Sequence, residues 1–376
     1  MKIGIVGLAQ SGKTTLFNAL TGAEIDTTAF TGKTEAHRAI VNVPDERVEQ
    51  LNDIFEPKKK TLATIEYVDL AGLSTSEQKK SGFSDQFLGE LRLVDAILVV
   101  VRAFANEAIP HPANSIDPLR DLKNIEAEFV ISDLSIVENR MERLQRQMKS
   151  KKADADMREY ALLEKCKNFL EEEKPLRSLD MSEAEKMMVR GYQFLTQKPI
   201  IVIVNIDESD IQNEIHVIEP FQHYREDPHA MVLSISAQIE MEIQQLSDDE
   251  AQVFQEELGI TESAMGRLIR TSYDLLGLIS FFTVGSDEVR AWTIKENTKA
   301  PQAAGAIHTD FERGFIRAEV VHYDEFIKRK SLPQCKTDGI MRLEGKEYVV
   351  KDGDIINFRF AEIGRASCRE RVCHRV

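Results

Sequence analysis

The 376-residue sequence has few cysteines, no long apolar run and fewer basic than acidic residues. Its four cysteines are too sparse for a disulfide framework or a zinc site, which favours a reducing, cytoplasmic compartment. No stretch reaches the roughly 18 apolar residues of a membrane span, and the chain begins with a strand-like run rather than a signal peptide. The net charge of −15 means that the surface as a whole cannot bind polyanions non-specifically. We therefore expect no membrane or DNA partner, and any RNA contact must use a local basic patch.

The most informative segment that is present reads G-L-A-Q-S-G-K-T, from Gly7 to Thr14. It lies between the apolar run Ile3–Val6 and a helix-like stretch, the context in which such a loop surrounds phosphates with backbone N–H groups. We expect Lys13 to reach the β- and γ-phosphates and Thr14 to ligate Mg²⁺ through its hydroxyl. A glycine turn without a ligand would leave Lys13 unexplained. The sequence predicts a nucleoside triphosphate site formed by Gly7, Gln10, Ser11, Gly12, Lys13, Thr14 and Thr15.

A second segment with the expected metal chemistry follows at the end of a predicted strand, Thr64–Val68. Asp69 is predicted to hold Mg²⁺ through water, and the N–H of Gly72 to face the γ-phosphate. Leu73 stands where many GTPases have the glutamine that orients water, so hydrolysis needs another group. A switch threonine should complete the metal site, and Thr34 is favoured over the other candidates in its loop, Thr27, Thr28 and Thr31.

The base-reading segment departs from that of GTPases. After the strand-like run Ile200–Val204, Asn205-Ile206-Asp207-Glu208 lacks the usual lysine and has Glu208 where GTPases have aspartate. The amide of Asn205 could bond the N6/N7 edge of adenine, the bidentate match that is known from DNA reading. The sequence therefore favours ATP, with relaxed ATP/GTP use or a GTPase as the open alternatives. Ser236 and Ala237 are predicted to close over the base.

The hydrophobic pattern predicts an α/β fold with a mainly parallel sheet. Ile/Val-rich runs indicate six buried strands, and long helices are predicted at Leu119–Lys149, Ala153–Glu173 and, after the capping pair Ser182 and Glu185, Ser182–Leu195. Short β-like pieces follow at 283–284, 289–294, 315–322, 347–350 and 355–360. We predict a nucleotide-binding domain at 1–115 and 198–278, an inserted helical domain at 116–197, a small α+β domain at 279–361, and a non-native or disordered tail at 362–376.

Together these segments resemble the Obg-like ATPases, in particular their YchF subfamily. The most specific pieces lie beyond the nucleotide segments: V-R-A-W-T-I at 289–294, A-P-Q-A-A-G at 300–305 and I-H-T-D-F-E-R-G-F-I-R-A-E at 307–319. The resemblance implies a G-domain-like P-loop NTPase, an inserted helical hairpin and a C-terminal ubiquitin-like β-grasp (TGS) domain. It also implies slow Mg²⁺-dependent ATP hydrolysis and association with ribosomes.

Two residues carry further implications of this resemblance. His111 falls at the place of a loop histidine that is proposed in the family to assist water, so we include it with Lys13 and Gly72 among the catalytic candidates; a solvated bystander is the alternative. Gln10 stands where the family usually has an asparagine that is associated with a monovalent cation. Stimulation by K⁺ is therefore left open.

Basic residues cluster at 58–60, 149–152, 313–317 and 328–330, and each cluster could simply be a solvated face. A basic hairpin tip and a basic TGS face would together form a surface for rRNA on the large subunit or the 70S ribosome. The leading hypothesis is a ribosome-associated ATPase switch in translation or stress response. A nucleotide-gated signalling protein with incidental hydrolysis is the second hypothesis, and a metabolic kinase is the weakest.

Overall fold

The computed structural model describes residues 1–22, 37–70, 83–106, 108–150, 154–260 and 263–361. Thr34, Gly72, the other switch threonines, Leu73 and the tail from Glu362 lie outside these described residues. The contacts within the chain separate two compact units. The first comprises Met1–Val41 and Glu66–Leu268, and the second comprises Asn42–Ile65 and the residues from Ile269 onward.

The first unit contains a six-stranded sheet in the order β2-β4-β1-β5-β6-β7. The registered pairs of β1 with β4 and β5, of β5 with β6 and of β6 with β7 are all parallel. All seven residues of β5 are buried, which explains why the sequence shows continuous rather than alternating apolar runs. The six predicted strands are confirmed as β1 Lys2–Val6, β2 His37–Asn42, β4 Thr64–Asp69, β5 Ala96–Arg102, β6 Ile200–Asn205 and β7 Ala230–Ile235.

Parallel strands bring their carboxyl ends to one edge of the sheet, where α/β proteins bind ligands. Val6, Asp69, Arg102 and Asn205 are the last residues of β1, β4, β5 and β6. The segments that sequence reasoning connected with phosphate, metal and base therefore begin at the same edge.

The helices of the first unit surround this sheet or form the predicted insertion. Two long helices, α4 and α5, confirm the predicted pair, and they pack on one another. The two helices share an apolar core that includes Val137, Leu144, Leu163 and Cys166. Burial raises the pKa of the Cys166 thiol to about 11, so this cysteine is unreactive at neutral pH. The helices are α1 Lys13–Thr21, α3 Asp85–Arg92, α4 Pro118–Ser150, α5 Asp154–Glu171, α6 Glu183–Val189, α7 Glu214–Ile218, α8 Gln222–Glu226, α9 Ala237–Gln244, α10 Asp248–Glu257 and α11 Ala264–Leu275, the last of which contains the division between the units.

The third predicted helix is shorter than expected. The capping box of Ser182 and Glu185 is present and starts α6, but the prediction that the helix continues to Leu195 was wrong. After α6 comes a single 3₁₀ turn, and Gln193 then adopts a left-handed conformation with φ of 50°, which ends helical geometry. The backbone N–H groups of Leu195 and Thr196 instead donate to the buried carboxylate of Asp133 at 3.1 and 2.8 Å.

The second unit has its own six-stranded sheet, in the order β11-β10-β12-β8-β9-β3. The predicted strand at 347–350 was wrong, because Tyr348 closes a turn with the carbonyl of Gly345, and Val349 makes only an isolated bridge to Lys299. A short strand forms just before this turn instead. The strands are β3 Lys59–Thr61, β8 Leu278–Thr283, β9 Glu288–Lys295, β10 Phe315–His322, β11 Arg342–Glu344 and β12 Asp354–Phe360, and the helices are α2 Glu46–Phe55, α12 Ala300–Ile307, α13 Thr309–Arg313, α14 Tyr323–Ile327 and α15 Leu332–Thr337.

One edge of this second sheet comes from the early part of the chain. Strand β3 pairs in parallel with β9, and Arg47 of α2 donates to Asp352 at 2.6 Å and lies 5.0 Å from the ring centre of Phe282. Asp45 caps α2 and also accepts from Arg47. Residues 42–65 therefore group with the C-terminal residues, whereas the sequence boundaries placed them in the nucleotide-binding domain. None of the helices in the described part of the chain has the length and apolar character needed to cross a membrane.

Candidate functional site

The loop between β1 and α1 has the backbone geometry that the phosphate motif requires. Gly7 is buried, and a Cβ at this position would overlap the carbonyl oxygen of Val100 in β5. Gly12 has φ of 92°, and a Cβ there would overlap the side-chain nitrogen of Asn205. Both glycines are therefore required by close approach, and at Gly12 also by a left-handed backbone.

Between the two glycines, the loop has an exposed turn and a buried hydroxyl. Gln10 adopts φ of 61°, a conformation that non-glycine residues other than Asn and Asp rarely adopt. Ser11 is 2 % exposed, and its Oγ has no hydrogen-bond partner among the described residues. A buried hydroxyl without a partner is unfavourable in the free protein and is available for an anionic ligand.

Lys13 is the first residue of α1, and its ammonium group points back into the loop. Its Nζ donates to the carbonyl of Leu8 at 2.6 Å, and the residue is only 8 % exposed. Burial lowers the pKa of Lys13 to about 8, and the nearby charge of Asp69 opposes this effect. A triphosphate would supply the anionic partner that the burial of this cation demands.

Two of the three predicted metal ligands, Thr14 and Asp69, lie close together, and the third, Thr34, is outside the described residues. The Oγ1 of Thr14 is 3.5 Å from the Oδ2 of Asp69, which is 1 % exposed at the end of β4. One hydroxyl and one carboxylate are a suitable donor set for Mg²⁺, which prefers oxygen ligands, keeps several waters and binds phosphate oxygens. The residues present therefore fit the ion. Thr15 follows within α1 and is half-buried.

Asn205 connects the phosphate loop to the loop after β7. Its Nδ2 donates to the carbonyl of Ser11 at 3.0 Å, and its Oδ1 accepts from the backbone N–H of Ala237 at 3.1 Å. The expected bidentate contact with adenine needs Oδ1 and Nδ2 together. Each of these atoms already bonds the backbone and the residue is only 4 % exposed, so this arrangement directs the amide to the two loops rather than to a base.

The rest of the base-reading segment divides between core and surface. The side chain of Ile206 is 2 % exposed and packs in the hydrophobic core beside the sheet, so only its backbone can face a ligand. Asp207 caps the next 3₁₀ turn by accepting from the N–H of Ser209 at 3.3 Å. Glu208 is exposed and is the carboxylate that remains for a base. Ser236 and Ala237, both buried, start α9 directly beside this segment.

His111 does not lie free in its loop. Its Nε2 is 2.9 Å from the Oδ2 of Asp121, its Nδ1 accepts from the N–H of Ala113 at 3.1 Å, and its side chain is 5 % exposed. The solvated bystander that sequence reasoning left open is thus not what the structure contains. Both ring nitrogens are engaged, so in this conformation neither can accept a proton from water.

Two residues near these groups were missed by sequence reasoning. Asp121, in the first turn of α4, is buried against His111, and its only signal in the sequence was an acidic residue at a helix start. Arg102, the last residue of β5, is 2 % exposed and donates to the carbonyls of Phe104 and Asn106. No sequence pattern identifies a single arginine that follows an apolar run.

The sheet, the loop at its carboxyl edge and the Lys13, Thr14 and Asp69 group define a P-loop nucleoside triphosphatase. A family model described as 50S ribosome-binding GTPase matches residues 2–157, and the YchF-GTPase_C model, described as a protein of unknown function, matches residues 278–361. The predicted fold class is thereby confirmed.

The particular family follows from comparisons over nearly the whole chain. It is 42 % identical to the ribosome-binding ATPase YchF of Bacillus subtilis, over 95 % of this chain and 98 % of that protein. Obg-like ATPase 1 of Oryza sativa is 39 % identical, over 96 % of this chain and 92 % of that protein. The structure of the Schizosaccharomyces pombe YchF GTPase superposes with a TM-score of 0.85 at 36 % identity, covering 96 % and 97 %. The chain belongs to the YchF family of Obg-like ATPases, as its sequence motifs suggested.

Proposed function

We propose that this protein is a cytoplasmic, ribosome-associated ATPase that uses nucleoside triphosphate and Mg²⁺ to switch conformation. The observation that supports this most directly is the combination of a formed phosphate loop with the Thr14–Asp69 pair in a chain that matches ribosome-binding ATPases along nearly its whole length. Triphosphate and Mg²⁺ would order the loops around the site, and hydrolysis would release them.

A preference for ATP over GTP is supported by the chemistry of the base-reading segment. Guanine is recognised by a carboxylate that accepts two of its N–H groups, and Glu208 is one methylene longer than the aspartate of GTPases. The Ile206 side chain is buried in the core and cannot replace the missing lysine. These two features remove most of the guanine-specific contacts without excluding adenine.

Parallel titrations with ATP and GTP test this preference. We expect tighter binding of ATP, and the substitution Glu208→Asp should narrow the difference because it shortens the carboxylate. Glu257→Asp, at an exposed position near the end of α10, is the matched control. Tighter binding of GTP by the unmodified protein would refute the proposed preference.

The site geometry supports the proposed roles of Lys13, Thr14 and Asp69 at the phosphates, and the roles of the other residues are carried over from the sequence motifs. Lys13 would contact the β- and γ-phosphates, Thr14 and Asp69 would hold Mg²⁺, and the Gly72 N–H and Thr34 hydroxyl would complete the triphosphate state. His111 assists the attacking water after leaving its present position. Gln10 replaces the asparagine that is associated with a monovalent cation, so we expect equal hydrolysis rates in K⁺ and Na⁺ buffers.

The proposed ribosome contact must use the cations for which the described residues supply no acidic partner. Arg313 and Arg317 are exposed on the C-terminal domain, and Lys149 is exposed near the end of α4. Other predicted clusters form ion pairs: Lys58 with Asp287, Lys59 with Glu288, Lys60 with Glu49, Lys328 with Glu325, and Arg329 with Asp338. We therefore place the rRNA-facing surfaces at the tip of the helical insertion, 116–197, and on Arg313 and Arg317 of the C-terminal domain, 279–361.

Ribosome association can be measured with 70S ribosomes and isolated large subunits at several salt concentrations. Replacing Arg313 and Arg317 by glutamine should weaken association and flatten its salt dependence, because phosphate contacts release counterions. Replacing Lys58 and Lys328, which are already paired, is the control and should have little effect. Single-turnover ATP hydrolysis is then measured with and without ribosomes, and we expect ribosomes to increase its rate. A rate that ribosomes do not change would favour the alternative, a nucleotide-gated signalling protein.

A further inference from the structure

The loop that carries His111 is fastened to the start of α4. The imidazole lies between Asp121, 2.9 Å from Nε2, and the N–H of Ala113, 3.1 Å from Nδ1. The backbone closes the same turn, because the N–H of Asn114 donates to the carbonyl of His111 at 2.9 Å and Asn114 adopts φ of 56°. Side chain and backbone thus hold the histidine in a single closed position.

Asp121 is itself fixed and buried. Its Oδ1 accepts from Nε and Nη2 of Arg120 at 3.1 and 2.8 Å, and its side chain is 2 % exposed. Arg120 also donates to the hydroxyl and the carbonyl of Ser115, at 2.6 and 2.8 Å. The carboxylate that holds His111 is therefore linked through Arg120 to a second point of the same loop.

The hydrogen-bond pattern determines which ring nitrogen carries the proton. Because Nδ1 accepts from a backbone N–H, the proton of the neutral imidazole must be on Nε2, where it is donated to Asp121. A general base needs a free lone pair within reach of the proton that it removes. The lone pair of Nδ1 is occupied and the ring is buried, so the closed position is an inactive one.

We propose that Asp121 is a positioning residue that keeps His111 in this closed position, and that release of the contact sets the rate of hydrolysis. This inference rests on the proposed role of His111 at the attacking water. The substitution Asp121→Asn keeps the shape but removes the charge that strengthens the hydrogen bond. Loss of one such interaction shifts an open–closed equilibrium by roughly tenfold, so single-turnover ATP hydrolysis should rise by about that factor.

The test compares Asp121→Asn, His111→Ala and the double variant in the full-length protein with ATP and Mg²⁺. Asp117→Asn is the matched control, because Asp117 accepts from the N–H of Arg120. This substitution removes the same charge near the start of α4 without changing a contact of His111. We expect the tenfold rise only in Asp121→Asn and its disappearance in the double variant. The imidazole ¹⁵N signals of His111 can be assigned by their absence in His111→Ala. They should show the Nε2–H form in the unmodified protein, and in Asp121→Asn that single form should give way to a mixture.

The outcomes separate this inference from the function on which it rests. Unchanged hydrolysis in His111→Ala would remove His111 from the reaction. A loss of activity in His111→Ala combined with unchanged or reduced hydrolysis in Asp121→Asn would overturn only the positioning role of Asp121. An Asp121→Asn protein with unaltered His111 signals would overturn it as well, since the closed contact would then not depend on the charge.

Discussion

The protonation of Lys13 should control how ATP binding depends on pH. In the free protein, burial lowers the pKa of this amine from its ordinary 10.5 to about 8, against the opposing charge of Asp69. This difference corresponds to about 3 kcal/mol that disfavours the charged form. A bound triphosphate favours the charged form and restores a high pKa. Binding above pH 8 must therefore be coupled to the uptake of one proton.

The sign of the effect follows from this linkage. Below pH 8, Lys13 is charged in both the free and the bound protein, so its protonation adds no pH dependence to ATP affinity. Above pH 8, the free protein loses the proton, and the dissociation constant should rise tenfold per pH unit until the pKa of the bound state is reached. Without nucleotide, folding stability should increase over the same interval, because the unfolded chain then binds more protons than the folded one.

Titration calorimetry between pH 7.5 and 9.5, in buffers that differ in ionisation enthalpy, measures both the affinity and the protons taken up. We expect proton uptake to rise from about a quarter of a proton at pH 7.5 to about one at pH 9.5, as Lys13 of the free protein loses its proton. The variant Lys13→Met should bind more weakly and show neither the slope nor the uptake. An affinity that stays constant from pH 8 to 9.5 in the unmodified protein would refute the burial argument.

Two pairs of substitutions test the packing arguments by thermal unfolding. Gly12→Ala should destabilise the protein by about 1–3 kcal/mol and abolish nucleotide binding, because its φ of 92° and the nearby amide of Asn205 exclude a Cβ. Gly89→Ala, inside α3 where a Cβ meets no neighbour, should stabilise the protein by about 0.5–1 kcal/mol. An equal loss of stability in Gly12→Ala and Gly89→Ala would contradict this account. Arg47→Ala should cost about 2–3 kcal/mol, because it removes charge-assisted bonds to two carboxylates. Lys58→Ala breaks only an exposed ion pair and should lower the stability much less. The reverse order of the two losses would show that Arg47 does not hold α2 in place.

Much of the nucleotide site could be predicted from the sequence because its geometry is local. The glycine spacing of the phosphate loop, the apolar run before it and the helix after it lie within about twenty consecutive residues. Asp69 could be predicted because it ends a strand-like run and is followed closely by a glycine. The sequence predicted less well the roles of side chains that contact residues distant in the chain. Asn205 is an example, since its amide is the same whether it contacts a base or connects two loops.

The C-terminal unit shows the same limit for secondary structure. Three of its longer strands, β9, β10 and β12, lie where β-like pieces were predicted. The three-residue strand Lys59–Thr61 is too short for any pattern and forms only because β9 offers a partner. The segment 347–350 has the composition of a strand, yet a turn at Gly345 and a single bridge to Lys299 take up its backbone groups. Pairing partners, rather than propensity, decided both cases.

The sequence by itself determined the class of site, the parallel sheet that presents it and the family, since these depend on residue spacing and on patterns that are read along the chain. Only the tertiary structure decided the state of individual groups. It showed that Lys13 is buried with a lowered pKa, that Asn205 is occupied by two backbone groups, and that His111 is closed against Asp121. Burial and hydrogen-bond partners arise from residues that are distant in the chain, and no local pattern specifies them.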